Sequence, residues 1–156
     1  MVTLTKEEIW SRIKATDYRR LIVRPLLSDT QIGEMTVDLR LGYDFLVSNL
    51  TRKPFIGLDK HDRNHRSIKS FFQATRRDIG DRFILYPRQV VLATTLEYVG
   101  LPDDVYVDII SRSSYSRLGI NHNTLMQPGY RGCFPLELVN HGNTPIELVV
   151  GSRLVQ

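Results

Sequence analysis

Phe83-Ile-Leu-Tyr-Pro-Arg-Gln-Val-Val-Leu-Ala-Thr-Thr-Leu96 sets the fold class. Two apolar runs, Phe83–Leu85 and Val90–Leu96, flank Tyr86-Pro87, where proline removes a backbone donor and ends a strand. The same unit recurs downstream. Val105–Ile110, Cys133–Val139 and Ile146–Val150 are short apolar runs, and Gly100-Leu-Pro102-Asp103, Pro128-Gly129, His141-Gly142-Asn143 and Gly151 supply turns between them. Short, regularly spaced strands with almost no helical period predict a mainly β fold, a barrel or a sandwich.

Upstream, Glu34–Gly42 alternates in period two, with Met35, Val37, Leu39 and Leu41 on one face and Thr36, Asp38 and Arg40 on the other. This predicts a strand in which Asp38 and Arg40 form a surface ion pair. Tyr43–Val47 continues or restarts it past Gly42. Leu21-Ile-Val23 predicts a short strand stopped by Pro25. Thr5-Lys-Glu-Glu8 has the form of a capping box, and Ile9, Trp10 and Ile13 follow at helical spacing, so a helix is expected over 5–15. Residues 59–82 carry many charges and read as a solvated excursion with one short helix. His61 and His65 would suit two metal ligands on a helix face, but no third ligand accompanies them, and no metal site is assigned. No repeat or linker divides residues 1–156, so a single domain is expected.

The chain has 156 residues, 42% hydrophobic and 24% charged, which is ordinary for a globular domain with its own core. No apolar run approaches the ~20 residues that span a bilayer. The start, MVTLTKEEIW, lacks the pattern of a signal peptide. A single cysteine, Cys133, leaves no intramolecular disulfide and no cysteine-cluster zinc site. A cytoplasmic protein is expected. The net charge of +4 suits an anionic ligand without separating nucleotide from nucleic acid.

Within this frame Ser111-Arg-Ser-Ser-Tyr-Ser-Arg-Leu-Gly119 concentrates two arginines and four serines in nine residues. That density of donors fits a polyanion, and the stretch is the candidate phosphate-binding element. There is no Gly-x-x-x-x-Gly-Lys loop, no His-x-Glu with Pro-Cys-x-x-Cys zinc deaminase pattern, and no Gly-x-Ser-x-Gly elbow. The candidate acid/base is Glu137 in Phe134-Pro-Leu-Glu-Leu-Val139. Leu136 and Leu138 face one way, and Glu137 faces the other with Pro135 and Val139. A carboxylate among apolar neighbours is expected to be partly desolvated, which raises its pKa toward the range useful in general acid/base work.

Together these residues resemble the dCTP deaminase family, within the trimeric dUTPase superfamily. The resemblance runs through Met35-Thr-Val-Asp-Leu-Arg-Leu-Gly42, Tyr86-Pro87 to Leu101-Pro102, and Arg112-Ser-Ser-x-x-Arg117-x-Gly119. It continues in Pro128-Gly-Tyr-x-Gly132, Leu136-Glu137 with Asn140-x-Gly142, and Gly151-x-Arg-Leu. It implies a distorted jelly-roll-like β-barrel assembled as a homotrimer with active sites at subunit interfaces. It also implies zinc-independent hydrolysis of dCTP to dUTP and ammonia, with Mg²⁺ carried by the substrate's triphosphate. By the resemblance, Glu137 is the general acid/base. Ser113 and Arg117 position the water and stabilise the transition state, Arg112 and Ser114 contact the triphosphate, and Tyr130 lies near the deoxyribose.

The sequence departs from the family's pattern in three places. The segment Ile120–Gln127 is shorter than in the family, so backbone groups near Thr124 and Leu125 are left to recognise the base. Gln127 stands where these families usually carry an aspartate, the base of dUTP diphosphatases. It retains a hydrogen bond for the 3′-hydroxyl but argues against diphosphatase chemistry. Val155-Gln156 falls where the family continues into a tail that closes over the nucleotide. The alternatives are a dUTP diphosphatase, a bifunctional enzyme making dUMP from dCTP, and a non-catalytic nucleotide-binding barrel. A nucleic-acid module rests on charge alone.

Overall fold

A computed structural model describes residues 3–49 and 68–156. The readings of His61, His65 and the first part of the 59–82 stretch lie outside the described residues. Helix α1 spans Lys6–Lys14. The Thr5 hydroxyl accepts from the Glu8 N–H, and the Glu8 carboxylate accepts from the Thr5 N–H, so the predicted capping box is formed. Ile9 is buried, Trp10 and Ile13 pack partly, and Arg12 grips Asp104 through two nitrogens at 2.7 and 3.1 Å.

The strands are β1 (Ile22–Arg24), β2 (Leu39–Ser48), β3 (Phe72–Arg76), β4 (Arg82–Leu85), β5 (Val90–Gly100) and β6 (Val107–Ile110). After the helical turn α2 (Ser113–Ser116) come β7 (Ile120–Asn121), β8 (Asn123–Met126), β9 (Arg131–Asn140), β10 (Ile146–Val149) and β11 (Arg153–Val155). The main sheet runs β11-β2-β5-β9-β7, with β1 added on β5 and β3 on β2; β10 pairs with β4, and β6 with β8. The fold is mainly β, as predicted. Among the described residues, however, the strands form three open sheets and do not close into a barrel.

The distortion has a local cause. Gly42–Asp44 on β2 oppose the single residue Thr94, and Thr95–Glu97 on β5 oppose the single residue Phe134. Such bulges bend a strand and raise its twist. At the first, a Cβ on Gly42 would lie 2.7 Å from the Thr94 carbonyl oxygen, so only glycine lets the strands approach. At the second, the Thr95 hydroxyl takes the place of main chain: it donates to the Glu97 carbonyl at 2.8 Å and accepts from the Phe134 N–H at 2.9 Å.

The core lies on one side of β2, β5 and β9. Phe45 stacks on Phe83 at 4.3 Å, and Leu41, Leu85, Val91, Leu136, Leu138 and Leu148 are fully buried around them. Each such side chain contributes about 1.5–3 kcal/mol of hydrophobic stabilisation.

Three expectations are corrected. The predicted strand over 34–42 begins only at Leu39; Gly33 and Thr36 close a tight turn, and Met35 is exposed. Arg40 pairs with buried Glu97 at 2.9 Å rather than with Asp38, because the alternation of β5 turns Glu97 inward beneath it. Part of the charged stretch is strand β3, paired to β2 from Asp44↔Arg76 to Ser48↔Phe72, following a 3-10 turn at Ile68–Phe71.

Candidate functional site

The donor-rich stretch folds into a helical turn, with Arg112 at the N-cap and no side-chain capping bond. The turn is fixed from below. The Arg112 N–H donates to the Leu154 carbonyl at 3.0 Å, and Ile110 exchanges two hydrogen bonds with Gln156. Ser116 Oγ donates to the Ser111 carbonyl at 3.3 Å. Ser113, Ser114 and Arg117 are exposed, and Arg112 is half-buried. At its far end Gly119 has φ +95°, and a Cβ there would lie 2.8 Å from the Gly142 nitrogen. His141 donates its N–H to the Gly119 carbonyl at 2.9 Å, and buried Asn140 accepts from the Gly142 N–H at 2.8 Å. Two glycines therefore let the turn after α2 nest against the turn after β9.

Glu137 lies on β9, whose alternation buries Leu136 and Leu138 and points Glu137 outward, as predicted. Its expected desolvation is not found in the single chain, where Glu137 is exposed. The reason is the sheet. The register places Glu137 in a row with Leu92 and Leu46, between the rows Val139–Val90 and Pro135–Thr94. This outer face is largely apolar but uncovered, with Leu46 40% and Val90 37% exposed.

One residue joins the turn to this strand. The His122 N–H donates to Ser111 Oγ at 2.8 Å, and the Ser111 N–H donates to the His122 carbonyl at 3.1 Å. On the other side the Glu137 N–H donates to His122 Nδ1 at 3.2 Å. Burial holds the imidazole pKa below its ordinary value, against the opposing pull of the Glu137 carbonyl and carboxylate.

A second connection reaches Arg112. Asp38 spans two guanidinium groups, with one carboxylate oxygen 3.5 Å from Arg112 Nε and the other 3.4 Å from Arg153 Nη1. Arg153 is itself tied to the Thr30 carbonyl and hydroxyl at 3.0 and 2.6 Å. Its terminal nitrogens are thus committed within the protein. Arg112, held at Nε, is the better placed of the two to offer a fork to an anion.

The remaining predicted residues are distributed as follows. Thr124 and Leu125 lie on β8, paired with Ile109 and Asp108, so the expected loop over 120–127 is instead two short strands broken at His122. Alternate residues of a strand paired on one side leave backbone groups on the other edge, which suits recognition through the main chain. Gln127 is exposed, and its carbonyl accepts from the Tyr130 N–H at 3.2 Å. Tyr130 is half-buried against Phe134, and its hydroxyl donates to the Cys133 carbonyl at 2.8 Å. Burial raises its phenol pKa. Among the described residues no three His, Cys, Asp or Glu side chains gather as metal ligands, and no helix is long and apolar enough to cross a membrane.

Sequence reasoning passed over His122 and Glu97 and misassigned the partner of Asp38. The available signal for His122 was a histidine between Asn121 and Asn123 just past the donor-rich stretch.

A family model described as dCTP deaminase-like matches residues 3–156. A dCTP deaminase of Haloarcula marismortui is 38% identical over 157 residues, covering 98% of this chain and 77% of its own length. A dUMP-forming dCTP deaminase of Methanobrevibacter smithii is 36% identical over 140 residues, covering 88% and 70%. The crystal structure of 2′-deoxycytidine 5′-triphosphate deaminase from Agrobacterium tumefaciens superposes with a TM-score of 0.71 at 24% identity, over 98% of this chain. The match spans 44% of that longer chain, and at this identity it speaks for the fold.

Proposed function

The chain belongs to the dCTP deaminase-like family, and on that premise we propose that it hydrolyses the 4-amino group of dCTP, giving dUTP and ammonia. The observation that carries the proposal is the hydrogen-bonded path from Ser111 through His122 to the Glu137 N–H, which ties a serine- and arginine-rich turn to the strand that carries an outward-facing carboxylate.

Glu137 takes a proton from water as the oxygen attacks C4 and passes it to N3; it then takes the second proton from the new C4 hydroxyl and gives it to the amine, so that C4=O forms as the C4–N bond breaks and ammonia leaves. Such transfers contribute about 10²–10⁴-fold. Ser113 and Arg117 orient the water and stabilise developing charge, while Arg112 and Ser114 bind the triphosphate with its Mg²⁺. Backbone groups at Thr124 and Leu125 read the base, Gln127 bonds the 3′-hydroxyl, and Tyr130 flanks the deoxyribose. No protein-bound zinc enters this route. The reading places the enzyme in the cytoplasm with its nucleotide pool.

The exposed apolar rows around Glu137 support assembly into a homotrimer whose interfaces complete the sites. A second copy laid over Leu46, Leu92 and Val139 would cover Glu137 and exclude bulk water from around it. Light scattering is expected to give three times the 18.0 kDa of one chain.

A second reading ends at dUMP, because the Methanobrevibacter smithii relative is named as dUMP-forming. Gln127 favours the first. Incubation with dCTP and Mg²⁺ separates them: dUTP with ammonia supports deamination alone, and dUMP with pyrophosphate supports the coupled reaction. Turnover of dUTP without dCTP overturns both, and binding without product assigns the chain to non-catalytic nucleotide binding.

A further inference from the structure

His122 is 5% exposed and makes its bonds in an arrangement that fixes its chemical form. The Glu137 N–H points at Nδ1 at 3.2 Å, and an N–H can only donate. Nδ1 is therefore the lone-pair side of a neutral ring, and the ring proton sits on Nε2. Among the described residues Nε2 is sealed from solvent and has no hydrogen-bond partner. A buried N–H left unpaired costs about 1–3 kcal/mol. An apolar side chain of similar size would remove that cost and forfeit the Nδ1 bond. Fold stability alone therefore does not call for histidine here.

We propose that His122 is the positioning residue for Glu137, a neutral imidazole strut that sets the Glu137 peptide against the donor turn through Ser111. This rests on Glu137 being the general acid/base of the proposed reaction. A displacement near 1 Å of a reacting group costs on the order of 10²-fold in rate, so a strut two hydrogen bonds long is enough to matter.

The strut is sensitive to charge. A proton added at Nδ1 would face the Glu137 N–H, donor against donor. The acceptor within reach is the Glu137 carbonyl, 3.4 Å from the same nitrogen. Protonation therefore exchanges one end of the Glu137 peptide for the other and twists the residue that carries the carboxylate. The charged group facing the ring is Glu137 itself, which favours the protonated form; burial opposes protonation and keeps the ring neutral near pH 7, and both bonds to Ser111 run through the His122 backbone rather than its ring.

The test compares His122→Leu with His122→Asn, whose side-chain oxygen can stand where Nδ1 does. His122→Leu is expected to lose about tenfold or more in kcat with KM for dCTP within about twofold, while its melting temperature holds. His122→Asn is expected to recover most of the rate and to lose the acidic limb of the pH profile that the histidine imposes. In parallel, the Glu137 amide signal in ¹⁵N NMR is expected to follow the imidazole titration in the wild type and to stay flat through that range in His122→Asn. Wild-type kcat in His122→Leu overturns the proposal, as does a Glu137 amide indifferent to the imidazole. If His122→Leu does not fold, the asparagine variant and the NMR titration decide. A wild type that turns over no dCTP defeats the functional reading, while the amide titration still judges the link itself.

Discussion

Glu97 and Glu137 stand on adjacent strands in nearly the same sequence, Leu96-Glu-Tyr98 on β5 and Leu136-Glu-Leu138 on β9. Their fates are opposite. Glu97 is fully buried, and its two oxygens accept from the Arg40 guanidinium at 2.9 Å, the Arg40 N–H at 2.8 Å and the Gln31 amide at 3.0 Å. Glu137 is exposed on an apolar sheet face. One carboxylate has every oxygen committed and so can only hold the structure together. The other has no such bonds among the described residues. Local composition does not distinguish them; the parity of the strand does.

This contrast can be broken at each end. Glu137→Gln is expected to lower kcat for deamination by about 10³-fold, within the usual range for a lost proton-transfer group, with the thermal midpoint unchanged. Parallel kinetics and calorimetry check it, and a variant of near wild-type rate would remove Glu137 from the acid/base role. Glu97→Ala is expected to destabilise the fold by about 3–5 kcal/mol, since the Arg40 charge is left buried without its partner. Urea denaturation measures this, and an unchanged midpoint would mean that the pair is dispensable. Thr95→Val has the smallest effect. Losing the acceptor for the Phe134 N–H is expected to cost about 1–3 kcal/mol, read by the same denaturation curves.

The same parity explains what was legible in the sequence. Strands β4, β5, β6, β9 and β10 were legible because their apolar runs are bounded by proline and glycine turns, and α1 because Thr5 and Glu8 cap it. The placement of Glu137 opposite Leu136 and Leu138 was read correctly. The exposure of Glu137 was not, because desolvation depends on what covers a face, and the single chain leaves this one bare. Strand β3 was hidden because, paired on an outer edge, its residues are polar or half-exposed and carry no apolar alternation. The partners of Arg40 and Asp38 were missed because pairing across strands is set by bulges at Gly42–Asp44 and Thr95–Glu97, which a period-two pattern does not display. His122 was missed because its links run through its own backbone to Ser111 and through its ring to the Glu137 main chain, which side-chain patterning does not display.

The nesting of Gly119 on Gly142 has a mechanical consequence. The turn that carries Ser113 and Arg117 is riveted to β9 at both ends, by Gly119 with His141 beyond the strand and by Ser111 with His122 at Glu137. Donors and carboxylate are thus mounted on one stiff bracket. A shift of the turn is therefore passed directly to the strand that carries the carboxylate.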